Sequence, residues 1–326
     1  MYFPISGVQV PIESMLLLGF AIGLMAGFLG VGGGWIITPA LNILGFPINF
    51  AIGSGLCQIA GNSVPAAIAH RRFGHIDFRL GGLMTAGMSI GVELGARIIE
   101  HLKSIGNVET VLGASIVVLM LSISTYMLSR TFRRADIGVV AEKKPGLWQR
   151  SRWKRIPPFI SLPASNIESI SIWCIISVAI LIGLSAGFLG VGGGLIAVPA
   201  LLYLVGTSPT TAVGTSILST LSAASFGTFS HAMKGNVDVM VALVMLPTSS
   251  LGSEIGSHAI RCLGRKRRAV ALAFGSSVLL AACAELVKLL GNVTAAAFLV
   301  TGLAAIMSTA ILLLILRGWL RERRRV

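Results

Sequence analysis

The chain has 326 residues, of which 54% are hydrophobic and only 12% are charged, and its mean hydropathy is +0.86. Soluble domains carry about twice that charged fraction, and residues 14–69 contain no Asp, Glu, Lys or Arg. These values exclude an ordinary soluble protein and predict an all-α polytopic membrane protein, because a membrane-crossing helix needs about 20 apolar residues.

Positive charge is concentrated in four stretches of the chain. The formal net charge is +14, and 22 of the 26 Lys and Arg residues fall in 70–79, 129–168, 261–268 and 317–325. A basic composition can indicate nucleic-acid binding, but basic residues beside apolar segments are typical of the cytoplasmic ends of membrane spans. We therefore predict no nucleic-acid partner, and contacts between these stretches and anionic membrane lipids.

Eleven apolar segments follow one another along the chain. In order they are 14–33, 35–46, 51–69, 79–99, 107–128, 170–193, 195–206, 211–231, 238–259, 269–287 and 293–316. They predict four parts. These are an N-terminal transmembrane repeat (1–128), a basic cytoplasmic linker (129–168), a C-terminal transmembrane repeat (169–290), and an extra transmembrane helix with a basic cytoplasmic tail (291–326).

The orientation of the segments follows from placing all four basic stretches on the cytoplasmic side. The N-terminus is then outside and the C-terminus cytoplasmic, in a multi-pass protein of a bacterial inner membrane. The first half crosses an odd number of times, whether 14–33 and 35–46 both span or form a re-entrant hairpin. An odd count turns the second repeat over, which predicts inverted-topology repeats of the kind found in secondary transporters.

The two halves of the chain are related by an internal duplication. Residues 22–41 and 182–201 are identical at sixteen of twenty positions, at an offset of 160. At an offset of 161 the match continues through the polar positions, where His70 corresponds to His231 and Glu93 to Glu254. Ordered matches of this kind over roughly eighty residues are not expected by chance.

A glycine run interrupts the apolar sequence at the same place in both copies. Its members are Gly30, Gly32, Gly33 and Gly34 in the first copy and Gly190, Gly192, Gly193 and Gly194 in the second. Glycine leaves helical geometry easily and lets a ligand approach the backbone. We expect broken helices whose free N–H groups bind an anion near the bilayer centre. The alternative is close helix packing, which both Gly23-xxx-Gly27 and Gly30-xxx-Gly34 would also fit.

The doubled motif resembles a known family. Each copy reads G-x-L-G-x-G-G-G-x-x-x-x-P-x-L, followed by A-x-G-[ST] and by a His sixteen residues further on. This pattern is similar to that of the TauE/SafE sulfite exporters, the 4-toluene sulfonate uptake permease group, over about residues 15–128 and 171–290. The resemblance implies an integral permease for sulfur-containing anions such as sulfite or organosulfonates.

Polar side chains recur at near-helical spacing on the segment that follows each glycine run. They are Ser54, Gln58 and Asn62 in the first copy and Thr215, Ser216 and Ser219 in the second. Amide N–H and hydroxyl O–H groups can donate to the oxygens of a dehydrated anion, so these residues are candidate substrate ligands. Hydrogen bonding between helices is the alternative role, and Ser and Thr supply it routinely in membranes.

Four ionisable residues within or at the ends of the spans are candidates for proton coupling: His70, His231, Glu93 and Glu254. A histidine changes charge near neutral pH, and an ionisable group at membrane depth is a functional candidate by default. Each glutamate also has a possible ion-pair partner four residues later, Arg97 or His258. For His70, capping of the helix end is the alternative role.

These features together predict a secondary transporter that exports a small sulfur-containing anion by alternating access, with protons as a coupling ion. An anion channel, or a permease for another small anion such as a carboxylate, is the alternative. No nucleophile–base pair suggests an enzyme. The cysteines and histidines form no cluster with ligand spacing, so we predict no metal and no cofactor. The oligomeric state stays open, a homodimer included.

Overall fold

A computed structural model describes residues 1–29, 33–106, 108–133, 156–263 and 267–323. These residues form eleven α-helices and two short antiparallel hairpins. The helices are α1 (Ile12–Leu29), α2 (Gly34–Ile43), α3 (Ile48–Arg72), α4 (Phe78–Ile105), α5 (Val108–Arg133), α6 (Ile172–Leu189), α7 (Gly194–Ala200), α8 (Pro209–Met233), α9 (Val239–Leu263), α10 (Arg267–Leu289) and α11 (Val293–Arg323). The hairpins are β1 (Tyr2–Phe3) with β2 (Val8–Gln9), and β3 (Phe159–Leu162) with β4 (Ile167–Ser171).

Each predicted apolar segment coincides with one helix, so the all-α polytopic class is confirmed. Five helical stretches in the described ranges are long and apolar enough to cross a membrane unaided: Phe78–Ile105, Val108–Ser129, Ile172–Leu189, Val239–Gly256 and Val293–Leu313. The helices that follow the two glycine runs are short, as predicted. α2 has ten residues, and α7 continues as a π-helical turn to Val205.

The helices gather into two compact units. Unit 1 comprises Met1–Ala51, Asn107–Gly138 and Asp238–Val326, and unit 2 comprises Ile52–Gly106 and Val139–Val237. Each unit therefore takes helices from both halves of the duplication. Most of the expected linker, residues 134–155, lies outside the described residues, and the predicted domain limits stay a prediction.

In unit 1, α1 packs on α9 through glycines that allow the two backbones to touch. A Cβ placed on Gly23 would lie 2.0 Å from the carbonyl oxygen of Ser249, and one on Gly27 would lie 2.0 Å from that of Ser253. Residue numbers rise together along both helices, so the pair is parallel. The close-packing role of Gly23-xxx-Gly27 is confirmed, since only a residue without a Cβ fits.

Unit 2 contains the repeat-equivalent pair, α4 on α6. A Cβ on Gly91 would lie 2.1 Å from the carbonyl oxygen of Ile180, and one on Gly95 would lie 2.7 Å from that of Leu184. This pair is also parallel. In unit 1 the helix before the glycine run comes from the first copy, and in unit 2 it comes from the second copy. The helix before the glycine run of one copy thus packs on the helix of the other copy that carries a Gly-x-Glu-x-Gly motif, at residues 91–95 on α4 and 252–256 on α9.

Each of these Gly-x-Glu-x-Gly helices begins at an aspartate that binds a hairpin serine. The Asp77 carboxylate accepts hydrogen bonds from the Arg79 and Leu80 amides, both at 3.1 Å, and from the Ser165 hydroxyl at 2.7 Å. In unit 1 the Asp238 carboxylate accepts from the Ser6 hydroxyl at 2.9 Å. The hairpins, whose strands have two to five residues, were not predicted from the sequence.

Replacing Asp77 by alanine is expected to destabilise unit 2. The substitution removes the acceptor for two amides at the start of α4 and leaves the buried Ser165 hydroxyl without its partner. Loss of an N-cap costs about 1 kcal/mol. The melting temperature of the detergent-purified protein should fall for Asp77→Ala and fall less for Asp77→Asn, which keeps one acceptor oxygen. Equal melting of Asp77→Ala and wild type would contradict this role.

Candidate functional site

The second glycine run breaks the helix, as predicted. α6 ends at Leu189 and α7 begins at Gly194. Between them Gly190, Gly192 and Gly193 have φ values of 68°, 74° and 72°, a left-handed region that L-residues other than Asn and Asp rarely occupy. The backbone therefore leaves the helical path in the interior of the unit, where all four intervening residues are buried.

Of the first glycine run, Gly33 and Gly34 lie within the described residues. α1 ends at Leu29, and α2 begins at Gly34 after Gly33, whose φ is −79°. A Cβ on Gly33 would lie 2.5 Å from Cγ2 of Ile22, so this turn packs closely on α1. Gly30 and Gly32 lie outside the described residues, and their predicted role stays a prediction. Every residue of α2 is buried.

Unit 2 brings the second glycine run against α3, which carries predicted donors. A Cβ on Gly192 would lie 2.8 Å from Cδ1 of Ile59. Gln58, the residue before Ile59, is 1% exposed, and Ser54, one turn earlier on α3, is fully buried. Asn62 is half-buried. The amide and hydroxyl groups of α3 therefore lie on a buried segment that contacts the broken helix.

On α8 the predicted hydroxyl groups are buried but have local partners. Thr215, Ser216 and Ser219 are each at most 2% exposed. The Ser219 hydroxyl donates to the carbonyls of Thr215 and Ser216, both at 3.1 Å. The Thr215 hydroxyl accepts from the Asp77 amide at 3.0 Å. The Ser219 bonds lie within α8, and the Thr215 bond joins α8 to the start of α4, as in the alternative of hydrogen bonding between helices. The part of these residues in anion binding stays a prediction.

The repeat-matched histidines have different surroundings. His231 is fully buried, and its Nε2 donates to the Gly187 carbonyl at 3.0 Å, one turn before the break in α6. His70 lies beyond the apolar segment 51–69, in the last turn of α3, with its ring centroid 5.6 Å from that of His75. Burial and the neighbouring His75 lower the pKa of His70, which favours the neutral form of its ring.

The two matched glutamates also differ. The Glu93 carboxylate accepts from Arg97 Nε at 2.8 Å, from the Ser230 hydroxyl at 2.6 Å and from Lys234 Nζ at 3.2 Å. The ion pair with Arg97 is therefore formed as the spacing indicated. Glu254, in unit 1, is exposed, and the side chain of its predicted partner His258 lies outside the described residues.

Comparison with known families decides the class of protein. Residues 15–286 match the sulfite exporter TauE/SafE family. The chain belongs to this family. TauE/SafE proteins are membrane transporters and not enzymes, and the family assignment agrees with the multi-pass helical fold. Both glycine runs and all the matched polar positions lie within the region that the family covers.

Several TauE/SafE relatives cover most of the chain. The probable membrane transporter protein YunE of Bacillus subtilis is 24% identical over 251 residues, which are 74% of this chain and 86% of the relative. A probable membrane transporter protein of Xylella fastidiosa (strain Temecula1) is 26% identical, over 84% of this chain and 93% of the relative. No solved structure matches the chain.

Sequence reasoning missed a polar cluster in unit 1. The Glu109 carboxylate, at the start of α5, accepts from Asn42 Nδ2 at 2.7 Å and from Lys288 Nζ at 3.0 Å. It also accepts from the Ile48 amide at 3.3 Å. The cluster joins α2, the first residue of α3, α5 and α10. No local pattern could predict it, because Lys288 follows Glu109 by 179 residues.

Proposed function

We propose that this TauE/SafE protein moves a small sulfur-containing anion, such as sulfite or an organosulfonate, out across the bacterial inner membrane by alternating access. The broken helix of unit 2 is the observation that carries the proposal. Three glycines with positive φ separate α6 from α7 inside the protein, and this break packs against the segment of α3 that bears Gln58. Broken helices at such places form the substrate sites of many secondary transporters.

An anion fits this site better than a cation for two reasons. Glycine exposes backbone N–H groups to close approach, and these donors are favourable to negative charge near a helix start. The predicted side-chain partners are neutral: Ser54 and Asn62 beside Gln58, and Thr215 and Ser216 on α8. Neutral donors can replace the water around a sulfite or sulfonate oxygen without adding a counter-charge that would hold the anion too tightly.

The helix directions within each unit support the proposed membrane orientation. With the N-terminus outside and the C-terminus cytoplasmic, α1 and α9 both run inward, and α4 and α6 both run outward. Each of these packed pairs is parallel in the structure. A single arrangement therefore satisfies the basic stretches and both helix pairs, which favours repeats of opposite orientation.

Reconstitution tests the function directly. The purified protein in liposomes, given sulfite, an organosulfonate, thiosulfate and a carboxylate in turn, is expected to give saturable flux with a sulfur anion. Empty liposomes are the control. Saturable flux of the carboxylate alone would overturn the substrate class. A current that rises without saturation would instead indicate an anion channel.

A further inference from the structure

One carboxyl group of unit 1 is buried without a partner. Glu285 lies on α10, one turn before Lys288, and is fully buried. Neither of its carboxyl oxygens has a hydrogen-bond partner among the described residues. It lies against α5 at Gly113, where an added Cβ would be 3.5 Å from Oε1 of Glu285 and 2.8 Å from Cδ2 of Leu289. The carboxyl group of Glu285 thus lies at the contact between α10 and α5, beside Gly113.

The internal duplication allows Glu285 to be compared with the residue at the equivalent position of the first copy. Ser124 of α5 precedes Glu285 by 161 residues, the offset that also separates Glu93 from Glu254. The Ser124 side chain is buried too, and its hydroxyl donates to the carbonyl of Gly275 on α10 at 2.9 Å. A satisfied hydroxyl therefore fills the equivalent place in the first copy. The second copy carries a group that can bind and release a proton.

We propose that Glu285 is the proton-binding site that couples anion movement to proton movement; this rests on the proposed transport function. A lone carboxylate is too costly to bury, so the group holds its proton while the site is closed. When Glu285 is exposed to water on one side of the membrane, the O–H bond of the carboxylic acid breaks and the proton passes to water. The carboxylate that remains then takes up a proton from the water on the other side of the membrane.

Lys288 connects Glu285 with α2, the helix that follows the first glycine run. Its ammonium group binds the Glu109 carboxylate at 3.0 Å and also donates to Asn42 at the end of α2. Residues three apart on a helix are neighbours, so an ionised Glu285 competes for Lys288. That competition loosens the end of α2, the helix that begins at the first glycine run.

Few other charges face Glu285. Among the described side chains of the helices packed on α10, α5 carries Glu109 and the exposed Tyr126, while α2 and residues 293–313 of α11 contribute no titratable group. On α10 itself, Lys288 is the charged neighbour. Protonation of Glu285 is therefore governed by its burial, by one cation and by one more distant carboxylate.

Proteoliposomes carrying Glu285→Gln test the coupling. With a gradient of about one pH unit, equivalent to about 1.4 kcal/mol, wild type should accumulate the anion about tenfold. The variant should accumulate none, yet exchange internal for external anion at equal pH at close to the wild-type rate. Ser124→Ala, changed at the equivalent position, should keep both activities. Accumulation by Glu285→Gln equal to wild type would overturn the proposal.

Two further measurements separate this proposal from folding and from the substrate. Glu285→Asp retains a carboxyl group and should restore accumulation; loss of both accumulation and exchange in both variants would show a structural role and overturn the proposal. Infrared spectra of the purified protein need no substrate. The carbonyl band of a protonated carboxyl group should be present in wild type and absent in Glu285→Gln. Its presence in both would overturn proton binding at Glu285, whatever anion is carried.

Discussion

Gly193→Val is expected to abolish transport while the protein still inserts into the membrane. Gly193 has a φ of 72°, and a Cβ there would lie 2.6 Å from Cε of Met88 and 3.3 Å from Cγ2 of Ile182. A β-branched residue in this conformation costs about 1–3 kcal/mol, so the backbone must turn away from its present path. The neighbouring Met88 end is flexible, which favours a local change of the broken segment over loss of the whole unit.

Flux in proteoliposomes, divided by the amount of inserted protein, measures this effect. Gly82→Val is the matched control, because Gly82 lies on α4 of the same unit, is exposed, and has no atom within 4 Å of an added Cβ. The prediction extends to Gly32→Val in the first copy, whose equivalent in the second copy is Gly192, the neighbour of Gly193. Normal flux in both Gly193→Val and Gly32→Val would remove the basis for a site at the glycine runs.

The sequence predicted those features of the fold that depend on neighbouring residues. Apolar runs of helical length predicted the helices because a chain in lipid must satisfy its own backbone hydrogen bonds. Clustered glycines predicted the break between Leu189 and Gly194 because no other residue adopts the left-handed region so easily. The ion pair between Glu93 and Arg97 followed from a spacing of four on one helix face.

Features that join distant segments could not be predicted in the same way. The serine–aspartate bonds of the hairpins pair residues 88 and 232 positions apart, and the Glu109 cluster brings together residues of four helices. No periodicity records such contacts. The pairing of α1 with α9 is likewise invisible in the sequence, although the Gly-x-Glu-x-Gly motif could have suggested that a second backbone approaches those glycines.

The structure separates two uses of glycine that one motif combines. Gly183 and Gly187 remain helical, and an added Cβ on either would lie within 2.3 Å of a carbonyl oxygen of α4. The glycines from 190 to 193 have positive φ and end the helix. The first pair fixes the position of α6 on its neighbour, and the following run departs from that fixed point. Close packing and helix breaking therefore act in sequence along the same helix.

Gly91→Val, in contrast, is expected to prevent unit 2 from folding. An added Cβ would lie 2.1 Å from the carbonyl oxygen of Ile180 and 2.5 Å from the amide nitrogen of Leu184. These are backbone atoms of α6, which cannot rotate aside, so α4 and α6 must separate. Overpacking typically costs about 1–3 kcal/mol, and backbone contacts on this scale place the cost at or above the upper end.

The yield of monodisperse protein in detergent and its melting temperature measure this loss. Gly23→Val should have the same effect in unit 1, where an added Cβ would lie 2.0 Å from the carbonyl oxygen of Ser249. Gly302→Val should be tolerated, because no atom lies within 4 Å of a Cβ at that position of α11. A folded, wild-type-like Gly91→Val would mean that α4 and α6 do not pack as closely as described. The parallel pairs that support the membrane orientation would then lose their basis.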